Sequence, residues 1–259
     1  MRAQSSPTDN LLINALPQEV VARWCQRLER ITMPLGMVMY ESGIAMTHVV
    51  FPTTAVVALL YVTERGSSTE IGIVGREGVV GVPLFMGGGS TPSSAVVQIA
   101  GEGWRLPGPF IKEEFDHPGP VQHLLLRYTQ ALITQMAQTA VCNRHHTIDQ
   151  QLCRWLLLSL DSLSGNELVM THELIANLLG VRREGVTESA LKLQRDGLIR
   201  YARGHIQVLD RPGLEHRACE CYRVVRNEHD RLMPERHLPE LQLPVRQWPE
   251  RQWPVRLVA

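Results

Sequence analysis

Hydrophobic spacing changes character three times along the chain. Residues 11–30 set Leu16, Val20, Val21, Trp24 and Leu28 at helical spacing, which predicts a short amphipathic helix. From Ile31 to Leu106, short β-rich stretches (MVMYE, HVVFP, VVALLYV, EIGIVG, AVVQIAG) alternate with Gly, Pro and Ser turns, as in an antiparallel sandwich or roll. The segment GGGSTPSS, Gly87 to Ser94, reads as a mobile loop between two of those strands. From Pro120 the helical period returns. Val121, Leu125, Tyr128, Leu132, Met136 and Thr139 recur at steps of three and four, a narrow apolar seam suited to a dimer contact or to packing on the β roll. A second helix places Ile148, Leu152, Trp155, Leu156 and Leu160 toward a core, and a last helix is expected over about 213–232. Beyond it prolines fall at 234, 239, 244, 249 and 254, and RQWP occurs twice, so the tail is expected to be extended or disordered.

The segment that carries function is MTHELIANLLGVRREGVTESALKLQRDGLIRYARGHIQVLD, residues 170–210. Thr171 is a good N-cap with Glu173 in the first turn, and Ile175, Leu178 and Leu179 form a buried stripe. Ala176 is small where a second helix must cross. Gly180 stands where the turn needs positive φ, and Val186 anchors the second helix. That spacing is a helix-turn-helix. The second helix, Arg182–Arg195, opens with Arg182, Arg183, Glu184, Thr187 and Glu188, groups that hydrogen-bond base edges or phosphates. A recognition helix enters the major groove by its N-terminal residues, so they are well placed. LIRY and HIQVL, joined at Arg203-Gly204, then supply a wing. A solvated face explains any single Arg/Glu pair here; it does not explain the spacing and the wing together.

Composition adjusts this picture. The 259 residues are 44% hydrophobic and 20% charged, ordinary for a globular protein. Zero net charge argues against nucleic acid until it is resolved along the chain. Residues 1–120 carry eight Lys/Arg against eleven Asp/Glu, whereas 171–226 carry ten against seven. A mildly basic segment beside an acidic one suits a regulator whose sensing half stays off DNA. The longest apolar run, Ala55 to Val62, is too short for a membrane span, and the N-terminus lacks a signal-peptide core. Five cysteines, an odd number, fit the reducing cytoplasm, where the protein is expected to reside without membrane contact.

The arrangement resembles the Crp/Fnr family of bacterial regulators over roughly residues 11–226. IDQQLCRWLL is similar to the family's helix before the DNA domain, and RREGV to its recognition-helix start. The resemblance implies an α+β fold: an N-terminal antiparallel, cyclic-nucleotide-binding-like β roll (11–119), a long dimerisation helix (120–145) and a C-terminal winged helix-turn-helix (146–232), with the Pro-rich tail over 233–259. It also implies promoter DNA, a second copy of the chain and RNA polymerase as partners, and a small-molecule effector of unknown identity. Thr171 would touch phosphate, Arg183 and Glu184 would read bases, and the wing residue Arg203 is placed to meet the backbone. Glu188 departs from the pattern, since many members carry a second Arg there, so the family's usual half-site does not transfer.

The sensing half departs further. Members that bind cyclic AMP hold its phosphate with Arg-Ser and its ribose with Glu. The matching stretch here, residues 81–101, has Ser93-Ser94 and Val82 or Pro83 at those places. A phosphate buried without a cation is expensive. Arg76 and Arg105, nearby in sequence, would have to reach it from another direction, so cyclic nucleotides are not expected to bind. Cys25 alone cannot hold the family's iron–sulfur cluster. The most metal-like set is His216, Cys219, Cys221 and His229, but cysteines two apart on one helix point to different faces. His145-His146 reads as a helix joint, and Cys25 and Cys153 as small packed hydrophobes. No metal and no cofactor are expected. Nor is catalysis, because GREGVVG lacks phosphate-loop spacing and no nucleophile elbow or zinc-protease motif occurs. A winged helix used for protein contact alone is the competing reading.

Overall fold

Pro17 divides the first helical segment in two. It is the N-cap of the second piece (φ −55, ψ 144), where its missing N–H costs nothing. In the computed structural model, which describes residues 5–163 and 165–233, the expected 11–30 helix is therefore α1 (Leu11–Asn14) and α2 (Gln18–Cys25), and the chain then enters β1 (Glu29–Met33). β2 (Val38–Tyr40), β3 (His48–Pro52), β4 (Val56–Val62), β5 (Ser68–Val74), α3 (Val82–Phe85), β6 (Ser94–Ile99), β7 (Gly101–Pro107) and α4 (Gly108–Asp116) follow. The roll is two antiparallel sheets, β1-β7-β3 and β2-β6-β4-β5. Trp24 and Phe51 (ring centroids 5.6 Å apart) lie in its core.

The long helix α5 spans Pro120–His145. Val121, Leu125, Tyr128 and Leu132 are buried in the core of their own β roll, and the Tyr128 hydroxyl donates to the Val79 carbonyl at 3.2 Å. This corrects the expected dimer seam, because those side chains are already covered within one chain. A different row on α5 faces solvent: Leu126 (46% exposed), Gln130, Ile133 (59%), Ala137 and Ala140. Its steps of four, three, four and three residues keep a strict coiled-coil register.

The second half runs α6 (Ile148–Asp161), β8 (Glu167–Val169), α7 (His172–Leu179), α8 (Arg183–Arg195), β9 (Ile199–Ala202), β10 (His205–Val208), α9 (Arg211–Arg217) and α10 (Glu220–Leu232). Thr147 and Gln150 cap α6 reciprocally. The single helix expected over 213–232 is broken at Ala218 and Cys219, both in extended backbone. The core of this half, with Trp155, Leu156, Ile175, Leu179 and Val186, also takes in Val56, Ala58 and Ile73 of the β roll, so the two halves share buried apolar surface. No helix among the described residues is long and apolar enough to cross a membrane. Except for Met233, the tail expected over 233–259 lies outside the described residues.

Candidate nucleic-acid interface

The turn between α7 and α8 forms as its residue types dictate. The Thr171 hydroxyl accepts from Leu174 N–H (3.3 Å), and Gly180 ends α7 at φ 67, where a Cβ would cost about 1 kcal/mol. A Cβ at Gly180 would also come within 2.9 Å of Thr69 Oγ1, so the turn packs directly on the β4–β5 hairpin of the roll. Ala176 and Val186 are buried as the two crossing points.

On α8, Arg182, Arg183, Glu184 and Glu188 are all exposed. Arg182 is the N-cap and makes no side-chain cap to the first N–H groups of the helix. Arg183 Nε lies 3.7 Å from Glu173 Oε2 of α7, an exposed pair of small energetic weight that would open readily to a ligand. Thr187 is differently engaged. Its hydroxyl donates back to the Arg183 carbonyl (3.0 Å) and meets His172 Nδ1 (3.1 Å). His172 in turn stacks on Tyr201 of β9, 4.1 Å between centroids, and burial followed by the Arg183 charge lowers its pKa. Thr187 thus ties α8 to the wing through His172 and Tyr201. Leu191 is exposed in the same groove as Glu184 and Glu188, and the only sequence signal for it is its i+3 spacing from Glu188.

The wing sheet has three strands, β8-β10-β9, where two were expected. At its tip Arg203 has φ 50, the only positive φ outside glycine among the described residues, followed by Gly204 at φ 84. A side chain held in this region costs about 1–2 kcal/mol. Arg203 is thus an exposed cation on the hairpin tip, kept in a strained backbone conformation. Lys192 and Arg217 are instead engaged within the domain, both with Asp149 and Arg217 also with Asp196.

In the roll, Arg105 pairs with Glu29 across β1 and β7 (2.6 Å), an exposed ion pair. Val82, Leu84 and Phe85 are buried, and Ser93 Oγ lies 3.2 Å from Thr91 Oγ1. The metal-like set weighed from sequence does not assemble. Cys219 is an N-cap with φ −72 and ψ 167, not a helical residue, so the two-apart argument fails. Cys219 and Cys221 instead converge with Cys142 and His146. Cys25 is exposed rather than packed, while Cys153 is buried as expected.

Residues 150–217 match the model of the Crp-like helix-turn-helix domain. Among solved structures, FixK2 from Bradyrhizobium japonicum aligns with a TM-score of 0.63 at 14% identity, over 74% of this chain and 98% of that one. A CRP/FNR-family transcriptional regulator from Thermus thermophilus aligns at 0.58 and 23% identity, over 73% and 98%. The c-di-GMP-responsive global regulator CLP from Xanthomonas campestris aligns at 0.60 and 14% identity, over 75% and 100%. A search of curated proteins by sequence gave no significant match. Residues 150–217 are thus a Crp-like helix-turn-helix domain, and the chain has the fold of Crp/Fnr transcriptional regulators.

Proposed function

We propose that this chain is a DNA-binding transcriptional regulator that acts in the cytoplasm and binds a two-fold promoter site as a homodimer. The observation that carries the reading is the outward face of α8, with Arg182, Arg183, Glu184 and Glu188 exposed beside an uncapped helix start and a strained, cationic wing tip. Arg183 and Glu184 read base edges, while Thr171, Arg182 and Arg203 hold the phosphate backbone. Glu188 meets a base where its carboxylate accepts from a cytosine amine. RNA polymerase is the partner such a regulator acts on, and the roll takes an effector of unknown class. Retardation of genomic fragments, with sequencing of those retained, tests the reading. Binding with no sequence preference at any salt would favour a protein-contact role for the winged helix.

The dimer forms along the exposed row of α5. Leu126, Ile133 and Ala140 alternate with Gln130 and Ala137 in coiled-coil register, all exposed among the described residues. Leu126→Glu with Ile133→Glu should give a folded monomer by sedimentation, since neither side chain supports the intramolecular core. An unchanged dimer would move the interface off this helix.

The roll is not a cyclic AMP or cyclic GMP site. Calorimetry should detect no heat of binding for either nucleotide at physiological concentration, because Ser93 supplies no cation for the phosphate where cyclic AMP-binding members carry one. Micromolar binding of either would refute this.

A further inference from the structure

Four donors of metal-binding type meet at the joint between the two halves, apart from the DNA-reading surface. Cys142 and His146 are one turn apart at the C-terminal end of α5, His146 being the C-cap. Cys219 is the N-cap of α10 and Cys221 lies in its first turn. Cys142 Sγ is 3.5 Å from Cys219 Sγ, Cys221 Sγ is 3.6 Å from His146 Nδ1, and all four donor atoms lie within 4.8 Å of one another. We propose that Cys142, His146, Cys219 and Cys221 form a tetrahedral site of three sulfurs and one nitrogen for a zinc-class divalent cation, which clamps α10 to the end of α5.

The geometry separates this from other uses of cysteine. Zinc–sulfur bonds of about 2.3 Å set tetrahedral sulfur–sulfur edges near ~3.8 Å, close to the contact seen between Cys142 and Cys219. A disulfide would need about 2.05 Å, and these thiols are free. The sulfurs are too close together to surround a multi-iron cluster. Three thiolates with one nitrogen is a soft, tetrahedral donor set that selects zinc over hard cations. Small-hydrophobe packing predicts apolar surroundings, but the three cysteines cluster apart from both apolar cores, beside an imidazole and a guanidinium.

The surroundings are those of a supported metal site. With Nδ1 toward the cysteines, His146 directs Nε2 at the Glu220 carboxylate (3.4 Å), the arrangement that fixes the tautomer of a metal-bound histidine. The Gln151 side-chain amide donates to the His146 carbonyl (3.0 Å) and reaches that of Cys142 (3.5 Å), which holds the turn leaving α5. Three thiolates around a dication leave one net negative charge. Buried Arg154, whose Nη1 donates to Thr139 Oγ1 at 3.1 Å and whose Nε has no hydrogen-bond partner, offsets it from inside. The start of a 13-residue helix at Cys219 favours a thiolate in the same sense. Because His146 is where the chain turns from α5 into α6, occupancy fixes the angle between the long helix and the DNA-binding domain.

The test uses the full chain, reduced, stripped of metal and titrated anaerobically with Co2+, then with Zn2+ in competition. One Co2+ per chain with the visible absorption of tetrahedral thiolate ligation is expected, displaced by one equivalent of Zn2+. Cys219→Ser with Cys221→Ser should abolish that spectrum. Glu220→Gln alters only an exposed side chain, so folding is retained. It should keep the stoichiometry and weaken zinc by about 10–100-fold. The absence of a tetrahedral cobalt spectrum in the reduced parent chain would overturn the proposal, even if a Cys142–Cys219 disulfide forms in air. So would a spectrum that survives the double serine variant, or zinc affinity unchanged in Glu220→Gln.

Discussion

Arg183→Ala is expected to collapse the difference in affinity between a selected site and scrambled DNA while leaving non-specific binding nearly intact. The side chain is exposed at the first turn of α8, and among the described residues its ion-pair partner is Glu173, at 3.7 Å. Releasing that contact costs little, so a bidentate base contact would keep most of its discrimination, about 1–3 kcal/mol per half-site. In a dimer the loss is taken twice, about 2–6 kcal/mol, since each half-site repeats the contact one helical turn away. Arg203→Ala should behave differently. At the wing tip it removes a backbone cation, so specific and random affinities fall together and the salt dependence flattens by about one unit of slope per half-site. The measurement is a salt titration of each variant against both DNAs. An unchanged specific-to-random ratio in Arg183→Ala would show that Arg183 does not read bases.

The reading helix was legible in the sequence because its determinants are local. Ala176, Gly180 and Val186 sit ten residues apart or less, and each does the task its type suggests: close crossing, left-handed turn, buried anchor. The long helix was legible as a helix but not in its faces. It carries two apolar rows, and the richer one, Val121 to Leu132, is claimed by its own β roll, while the poorer row in strict heptad register is left outside. β1 and β7 are not legible in the sequence because ERITM and GEGWRLP do not alternate cleanly; their pairing, with β3 on the far side of β7, holds them as strands. The cysteine cluster joins positions 142 and 219, a contact that no local pattern encodes. Glu70 of β5 is likewise buried by a distant element, the α6 residue Trp155, a contact that no local pattern encodes.

That covered carboxyl leads to the second large effect. Glu70 of β5 is 5% exposed, beneath Trp155, whose Nε1 donates to it over a long 3.5 Å, and near the Arg154 charge. Burial raises its pKa from 4.5 to about 8, only partly opposed by Arg154 and Trp155, so the folded protein holds a proton there at neutral pH. The unfolded chain releases that proton above its ordinary pKa. Between those two values the folded state binds more protons, and stability must therefore fall as pH rises. This stabilising contribution is complete below about 4.5 and gone above about 8, with a slope of up to about 1.4 kcal/mol per pH unit between them. Glu70→Gln keeps a neutral hydrogen-bonding side chain and removes the titration. Its stability should be flatter across this window and should exceed that of the parent at the alkaline end, as read by urea denaturation of both proteins at matched pH. Because Val56, Ala58 and Ile73 of the same sheet share their core with α6 and α7, part of that pH dependence should appear as loosening of the DNA-binding half from the roll. Parallel pH profiles for the two proteins would mean that Glu70 is ionised in the native state, with Arg154 outweighing burial.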